Sequence, residues 1–259
     1  MAALNGWVWP LGEVAILREA PEQEPDSILW GMGEFLGRVC VVTAPEPAFL
    51  LDPMPPASVE PGAFVEIRPR GQPPDLRGAL LSPRLDVIPL EEQGFRASVE
   101  GTWWVEFMAD TPYGPQVFML TPVDAGEPGG WPGNGWNRDR ITEGINGLRR
   151  KLGIGELRES GLLNVLCGIR ARQAGRWGGA FHSFPGSPGT GAMMPPAFGA
   201  WAENVATGST VEEALEMILA SPFHLASCLD GRYRFMGTGT VSGDRGATLV
   251  MIFSEAADE

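Results

Sequence analysis

Two kinds of hydrophobic pattern divide the chain. Up to residue 123 the apolar positions come in short β-type runs: VAIL at 14–17, RVCVV at 38–42, FVEIR at 64–68, RLDVIPL at 84–90, FRASVE at 95–100, TWWVEFMA at 102–109 and QVFML at 116–120. Turn-forming residues separate them, which predicts an all-β, sandwich-like unit. The last three runs predict a meander that reverses at Glu100-Gly101 and again at PYGP, 112–115. Trp103 and Trp104 invite a carbohydrate-stacking reading, but adjacent strand residues point to opposite faces, so at least one ring belongs to a core.

Beyond DAGEPGGWPGNGWN, a glycine- and proline-dense linker at 124–137, the period changes from two to three or four. Ile141, Ile145, Leu148 and Leu152 form the stripe of a helix from near Asp139 to Gly153. Leu162, Val165, Leu166 and Ile169 predict a second helix over roughly 159–174. Residues 184–200 read as a long irregular loop, whose GAMMPPAFGAW portion, 191–201, could line a groove. Thr210 and Glu213 form a T-x-x-E capping box, so a third helix begins at Val211; Val211, Ala214, Leu215, Ile218 and Leu219 share its apolar face, and Ser221-Pro222 ends it. YRFMGTGTV and ATLVMIF then predict a closing hairpin. The expected architecture is α+β: a β-rich unit, 1–123, a linker, 124–137, and a mixed unit, 138–259.

Composition narrows the function classes. A net charge of -13 with a single lysine disfavours nucleic-acid backbones. No run of some 18 apolar residues predicts a transmembrane segment. The first twenty residues show neither a basic region nor a continuous apolar stretch of the kind that opens a signal peptide. Cys40, Cys167 and Cys228 have no metal-type spacing and read as buried thiols.

The candidate chemistry lies with two histidines, His182 in GGAFHSF and His224 in SPFH, and with Glu203 in AENVATG, a carboxylate among small and apolar residues that needs a partner. His224 is expected just beyond the C-terminus of the third helix, where the macrodipole favours a cation. The three residues could ligate a divalent metal such as zinc with one position open, or hydrogen-bond one another across a cleft. Glu212, Glu213 and Glu216 read as a solvated helix face.

The order of these segments resembles the bacterial form of the CAP superfamily of cysteine-rich secretory proteins, antigen 5 and pathogenesis-related proteins, over about residues 139–254. Asn146, Arg149, Gly153 and Leu157 match its first motif; His182 matches the second. Glu203, Asn204, Ala206 and Gly208 match the third; Ser221, Pro222 and His224 match the fourth. The resemblance implies an α-β-α sandwich with His182, Glu203 and His224 in a central cleft. It implies action outside the cytoplasm or at the cell surface. Ile218 and Leu225 replace a usual tryptophan and arginine, the eukaryotic disulfides are absent, and the second cleft acid of many relatives has no match. Three functions follow as expectations. The first is a binding protein for a small apolar ligand, a peptide or a divalent metal, with no required cofactor. The second is a hydrolase with His182 or His224 as base, Glu203 orienting it, and Ser183, Ser221 or metal-bound water attacking. The third is an adhesive component with a protein partner on the β-rich unit.

Overall fold

The computed structural model describes residues 14–17, 29–35, 38–44, 55–68, 76–90, 94–111, 114–129, 140–177, 180–183, 189–243 and 246–257. In the first half every described regular element is a strand: β1 (Val14–Leu17), β2 (Leu29–Phe35), β3 (Arg38–Ala44), β4 (Ser58–Val59), β5 (Phe64–Glu66), β6 (Arg77–Leu81), β7 (Val87–Pro89), β8 (Gly94–Arg96), β9 (Gly101–Thr111) and β10 (Gly114–Ala125). The first three form an antiparallel sheet ordered β1-β3-β2; a five-stranded sheet runs β4-β10-β9-β6-β7, and β5 pairs with β8.

The expected meander is corrected at one joint. β9 and β10 form the hairpin, but β8 turns away to pair with β5, so FRASVE and TWWVEFMA are not sheet neighbours. The short β5–β8 ribbon lies on one face of the five-stranded sheet, where Val65, Phe95, Trp103, Val105, Phe107 and Met119 form a core. Trp103 is buried there and donates its indole N–H to the Val99 carbonyl at 2.9 Å. Its neighbour Trp104 points the other way and packs against a core of the second half, as strand alternation requires. Each ring is engaged in packing, which leaves no stacking pair for a sugar. Of the 124–137 segment, Asp124 and Ala125 belong to the end of β10, and residues 130–137 lie outside the described residues.

The second half contains α1 (Ile141–Lys151), β11 (Arg158–Glu159), α2 (Gly161–Trp177), α3 (Thr190–Met193), β12 (Trp201–Gly208), α4 (Val211–Ala220), α5 (Pro222–Leu229), β13 (Phe235–Gly243) and β14 (Gly246–Ser254). Its sheet runs β11-β13-β14-β12, with β12 at an edge. On one face Leu249, Met251 and Phe253 meet α1, α4 and α5; on the other Val250 and Ile252 meet α2. A sheet so covered alternates between two cores along one strand, which is why β14 is apolar throughout.

Two predicted helix faces shift. Leu152 lies past the end of α1 and is 43% exposed. On α2 the buried stripe is Leu163, Leu166, Cys167, Arg170, Ala171 and Ala174, whereas Leu162 and Val165 face outward, Val165 at 58% exposure. The true stripe has ideal helical spacing, but a charged residue at its centre hid it from a hydrophobic reading. This face of α2 presses closely on β13. A Cβ added to Gly239 would lie 2.3 Å from the Cys167 carbonyl carbon, and one on Gly237 2.4 Å from that of Leu163. Backbone cannot yield as a side-chain tip does, so Gly239→Ala is expected to lower stability by at least the usual overpacking cost of ~1–3 kcal/mol, measured by urea unfolding.

The N-x-x-R motif on α1 is a brace. Asn146 exchanges two hydrogen bonds with the Leu157 backbone, and buried Arg149 donates to the carbonyls of Gly155, Cys228, Asp230 and Tyr233. One guanidinium thus closes the loops flanking α5 on carbonyls that would otherwise be buried without partners. Leu81 joins the core of α1, α4 and α5, and α5 packs on β6, β7 and β9, so apolar packing crosses from the first half to the second. Among the described residues no helix is long and apolar enough to cross a membrane.

Candidate functional site

Glu203 sits on β12 with its side chain toward α2, and its partners explain its burial. Arg170, fully enclosed on α2, donates from Nε to Oε2 at 3.0 Å and from Nη2 to Oε1 at 3.3 Å. Thr190 at the start of α3 donates its hydroxyl to the same carboxylate. The third partner is His182, whose Nδ1 lies 2.9 Å from Oε1. Burial works to raise the Glu203 carboxyl, and is outweighed by hydrogen bonds from His182 and Arg170 and by their charge, which leave it below the ordinary carboxylate value. Facing a carboxylate, Nδ1 of His182 carries the proton of this hydrogen bond. Arg170 also holds the Phe181 carbonyl at 2.9 Å, fixing the backbone beside His182.

His224 departs from its expected setting. Ser221-Pro222 ends α4 but at once opens α5, with Ser221 as N-cap accepting from the His224 N–H at 3.1 Å. The imidazole therefore stands in the first turn of a helix, where the macrodipole opposes a cation instead of favouring one. Burial, reinforced by the charge of His182, pushes it down to about 3. Asn204, next to Glu203 but on the other face of β12, bonds the His224 carbonyl at 2.9 Å and so ties this turn to the sheet.

His182 and His224 both line one cavity of about 50 Å³ over the exposed edge of β12, together with Val205, Ala206, Thr207 and Met217. Such a volume holds a few waters, at ~10–15 Å³ each. Glu203 stands behind His182 and is not part of the lining. A ligand set of His182, Glu203 and His224 does not fit this arrangement: the carboxylate is committed to Arg170, Thr190 and His182, and no three His, Cys, Asp or Glu side chains among the described residues could hold a metal ion. The GAMMPPAFGAW stretch is not among the walls of this cavity; Met194 and Phe198 are buried in the α2 core. Ser221 is engaged as a cap and in a bond to a carboxylate, not to an imidazole. Cys167 and Cys228 are free, buried thiols with ionisation pushed upward by burial, Cys228 to about 12.

Besides Ala180 and Ser221, the remaining walls come from the first half, which the sequence reading did not connect with the site. Glu106, Met108, Pro115, Val117 and Leu120, on β9 and β10, close the cavity. A bulge between Val117 and Met119 resets the alternation of β10, which lets Val117 and Leu120, three apart, share one face. Gly114, at φ 98°, lies against His182: a Cβ there would sit 2.8 Å from that of His182. Glu106 is fully buried; it accepts from Ser221 Oγ at 2.6 Å and from the Phe223 N–H at 3.0 Å, and burial raises its carboxyl to about 7 against those two bonds. A signal existed. Glu106 is a lone carboxylate in WWVEFM, a strand segment apolar on both faces, where a charge needs a partner.

No family description matches the chain, and no curated protein does. Solved structures similar to it include the following. An outer surface protein from Borrelia burgdorferi is 18% identical over 46% of this chain and 92% of its own, with a TM-score of 0.42. An extracellular protein containing an SCP domain from Bacillus anthracis is 12% identical over 60% of this chain and 64% of its own, TM-score 0.40. A cysteine-rich secretory protein from Staphylococcus aureus is 14% identical over 59% of this chain and 56% of its own, TM-score 0.34.

Proposed function

We propose that this is a CAP-type binding protein that holds a small ligand in the cavity between His182 and His224, with residues 1–123 as a β-rich unit joined through 124–137 to a CAP domain at 138–259. The family reading rests on the four motifs, whose residues have physical work to do: Asn146 and Arg149 brace the loops around α5, Glu203 orients His182, and Asn204 and Ser221 fix the turn that carries His224. An extracellular or surface location follows from that resemblance alone. Binding is preferred to hydrolysis on one observation. The serine beside the imidazoles, Ser221, has its hydroxyl engaged with Glu106 and with a backbone N–H, so it does not form the serine–histidine pair expected of the hydrolase.

The test is an NMR titration of the full chain with uncharged and charged molecules of two to six heavy atoms, with zinc in a parallel titration. Saturable shifts are expected at Val205–Thr207, Met217 and the two imidazoles for some of the small molecules, and none for zinc. Shifts confined to other regions would sink the binding reading; tight zinc binding lost in His182→Ala would restore the metal one.

A further inference from the structure

The part of the cavity wall that comes from the first half centres on two cross-strand pairs of the β9–β10 hairpin, Met108 opposite Val117 and Glu106 opposite Leu120. Regular alternation from the Val117–Met108 pair would bring Met119 opposite Glu106. The extra residue of the bulge, Phe118, sets Met119 opposite Phe107 instead, where both side chains enter the core under the β5–β8 ribbon, and it turns Leu120 onto the cavity face. Met119 is 1% exposed in that core, whereas Val117 and Leu120 remain half-buried. The bulge thus replaces a flexible methionine with a branched leucine at the cavity wall.

The polar atoms around the space are largely engaged with protein. Both Glu106 oxygens accept, from the Ser221 hydroxyl and the Phe223 N–H, and Thr207 shares a hydrogen bond with Thr248 at 3.5 Å. A ligand therefore meets Met108, Val117, Leu120, Val205 and Met217, with the two imidazoles as its polar neighbours.

We propose that Val117 and Leu120 set the size limit of this site, and that its ligand is a short, uncharged alkyl molecule. The inference rests on the reading of the cavity as a binding site and adds the class of its ligand and the residues that select it. An alkyl body gains by leaving water for these walls, whereas an ion would give up its hydration to a surface that is mostly hydrocarbon. A hydroxyl both donates and accepts, so it suits an imidazole in either tautomer. The space of about 50 Å³ holds only a few heavy atoms, and the side chains that bound it on the β10 side are the two that the bulge aligns.

The experiment is an NMR titration of the full chain at pH 7 with n-propanol, cyclohexanol, propionate and n-propylammonium. On an open apolar surface the larger alcohol would bind more tightly, by roughly tenfold or more for its extra carbons. A size limit reverses that order: cyclohexanol is expected to bind the parent at least tenfold more weakly than n-propanol. Leu120→Ala, which removes part of the wall, should strengthen cyclohexanol at least tenfold and leave n-propanol within about threefold. Val117→Ala should act in the same direction, and it decides the matter if the first variant fails to fold. Cyclohexanol binding the parent as tightly as n-propanol, or binding the variants no better than the parent, would overturn the size role while the n-propanol shifts kept the site itself standing. Propionate or n-propylammonium matching n-propanol would overturn the uncharged class. Silence from all four probes would remove the site, and the inference with it.

Discussion

Replacing Arg170 by methionine is expected to remove about 3–5 kcal/mol of stability, the cost of stranding a buried charge once its partner is gone. Arg170 and Glu203 have side chains 0% and 2% exposed, so no water can take over. In a chain of this length each kcal/mol shifts the melting temperature by ~2–4 °C, so a fall of roughly 10–15 °C should be seen in thermal unfolding. The double variant Arg170→Met, Glu203→Met should recover at least half of the loss, because two apolar side chains strand no ion. A single variant that melts within about 2 °C of the parent would show that the pair carries little of the fold. Such a result would also undercut the orientation of His182, which depends on the same carboxylate.

The second large effect concerns pH, and two groups, the half-buried His224 and the buried Glu106, act in opposite directions. His224 has its folded value pushed from 6.5 down to about 3, so the unfolded chain takes up the proton first. The stability it permits is fully present above pH 6.5 and is lost as pH falls toward 3, by up to about 5 kcal/mol at ~1.4 kcal/mol per decade. Glu106 has its folded value raised from 4.5 to about 7, so the folded state keeps the proton longer. Its contribution is fully present below pH 4.5 and is lost as pH rises toward 7, by about 3 kcal/mol. Between pH 4.5 and 6.5 the two slopes cancel, and the parent should show a nearly flat profile there. Below pH 4.5 His224 acts unopposed, while protonation of Glu203, whose folded value is lowered, adds to the loss. Chemical denaturation at a series of pH values should therefore show Glu106→Gln gaining on the parent from pH 4.5 to 7. A constant difference between the two proteins across that range would contradict the burial assigned to Glu106.

Local rules made some of this legible in the sequence. The capping box at Thr210 and Glu213 names its own helix start, and the Thr210 hydroxyl does accept from the Glu213 N–H at 3.1 Å. The strand runs at 14–17, 38–42, 64–68, 102–109 and 116–120 were likewise readable, because β-branched and aromatic residues bounded by turn formers need no distant partner to be recognised. What required a distant partner was lost. The buried face of α2 was misread because Arg170 looks solvent-seeking until Glu203, 33 residues on, is placed against it. Ser221-Pro222 was read as a stop, although serine followed by proline is also the N-cap and first position of a helix start, and the Ser221 hydroxyl does accept from the His224 N–H. Glu106, a lone charge in WWVEFM, announces that it needs a partner, but only the fold shows that Ser221 and the Phe223 N–H supply it.

Adjacent Trp103 and Trp104 insert into two different cores, one under the β5–β8 ribbon and one against α1, α4 and α5. Strand β9 is therefore a wall common to both halves, and neither core can melt without uncovering a face of the other's boundary. Thermal unfolding of these two cores is therefore expected to be a shared event, with one transition whose calorimetric and van't Hoff enthalpies coincide.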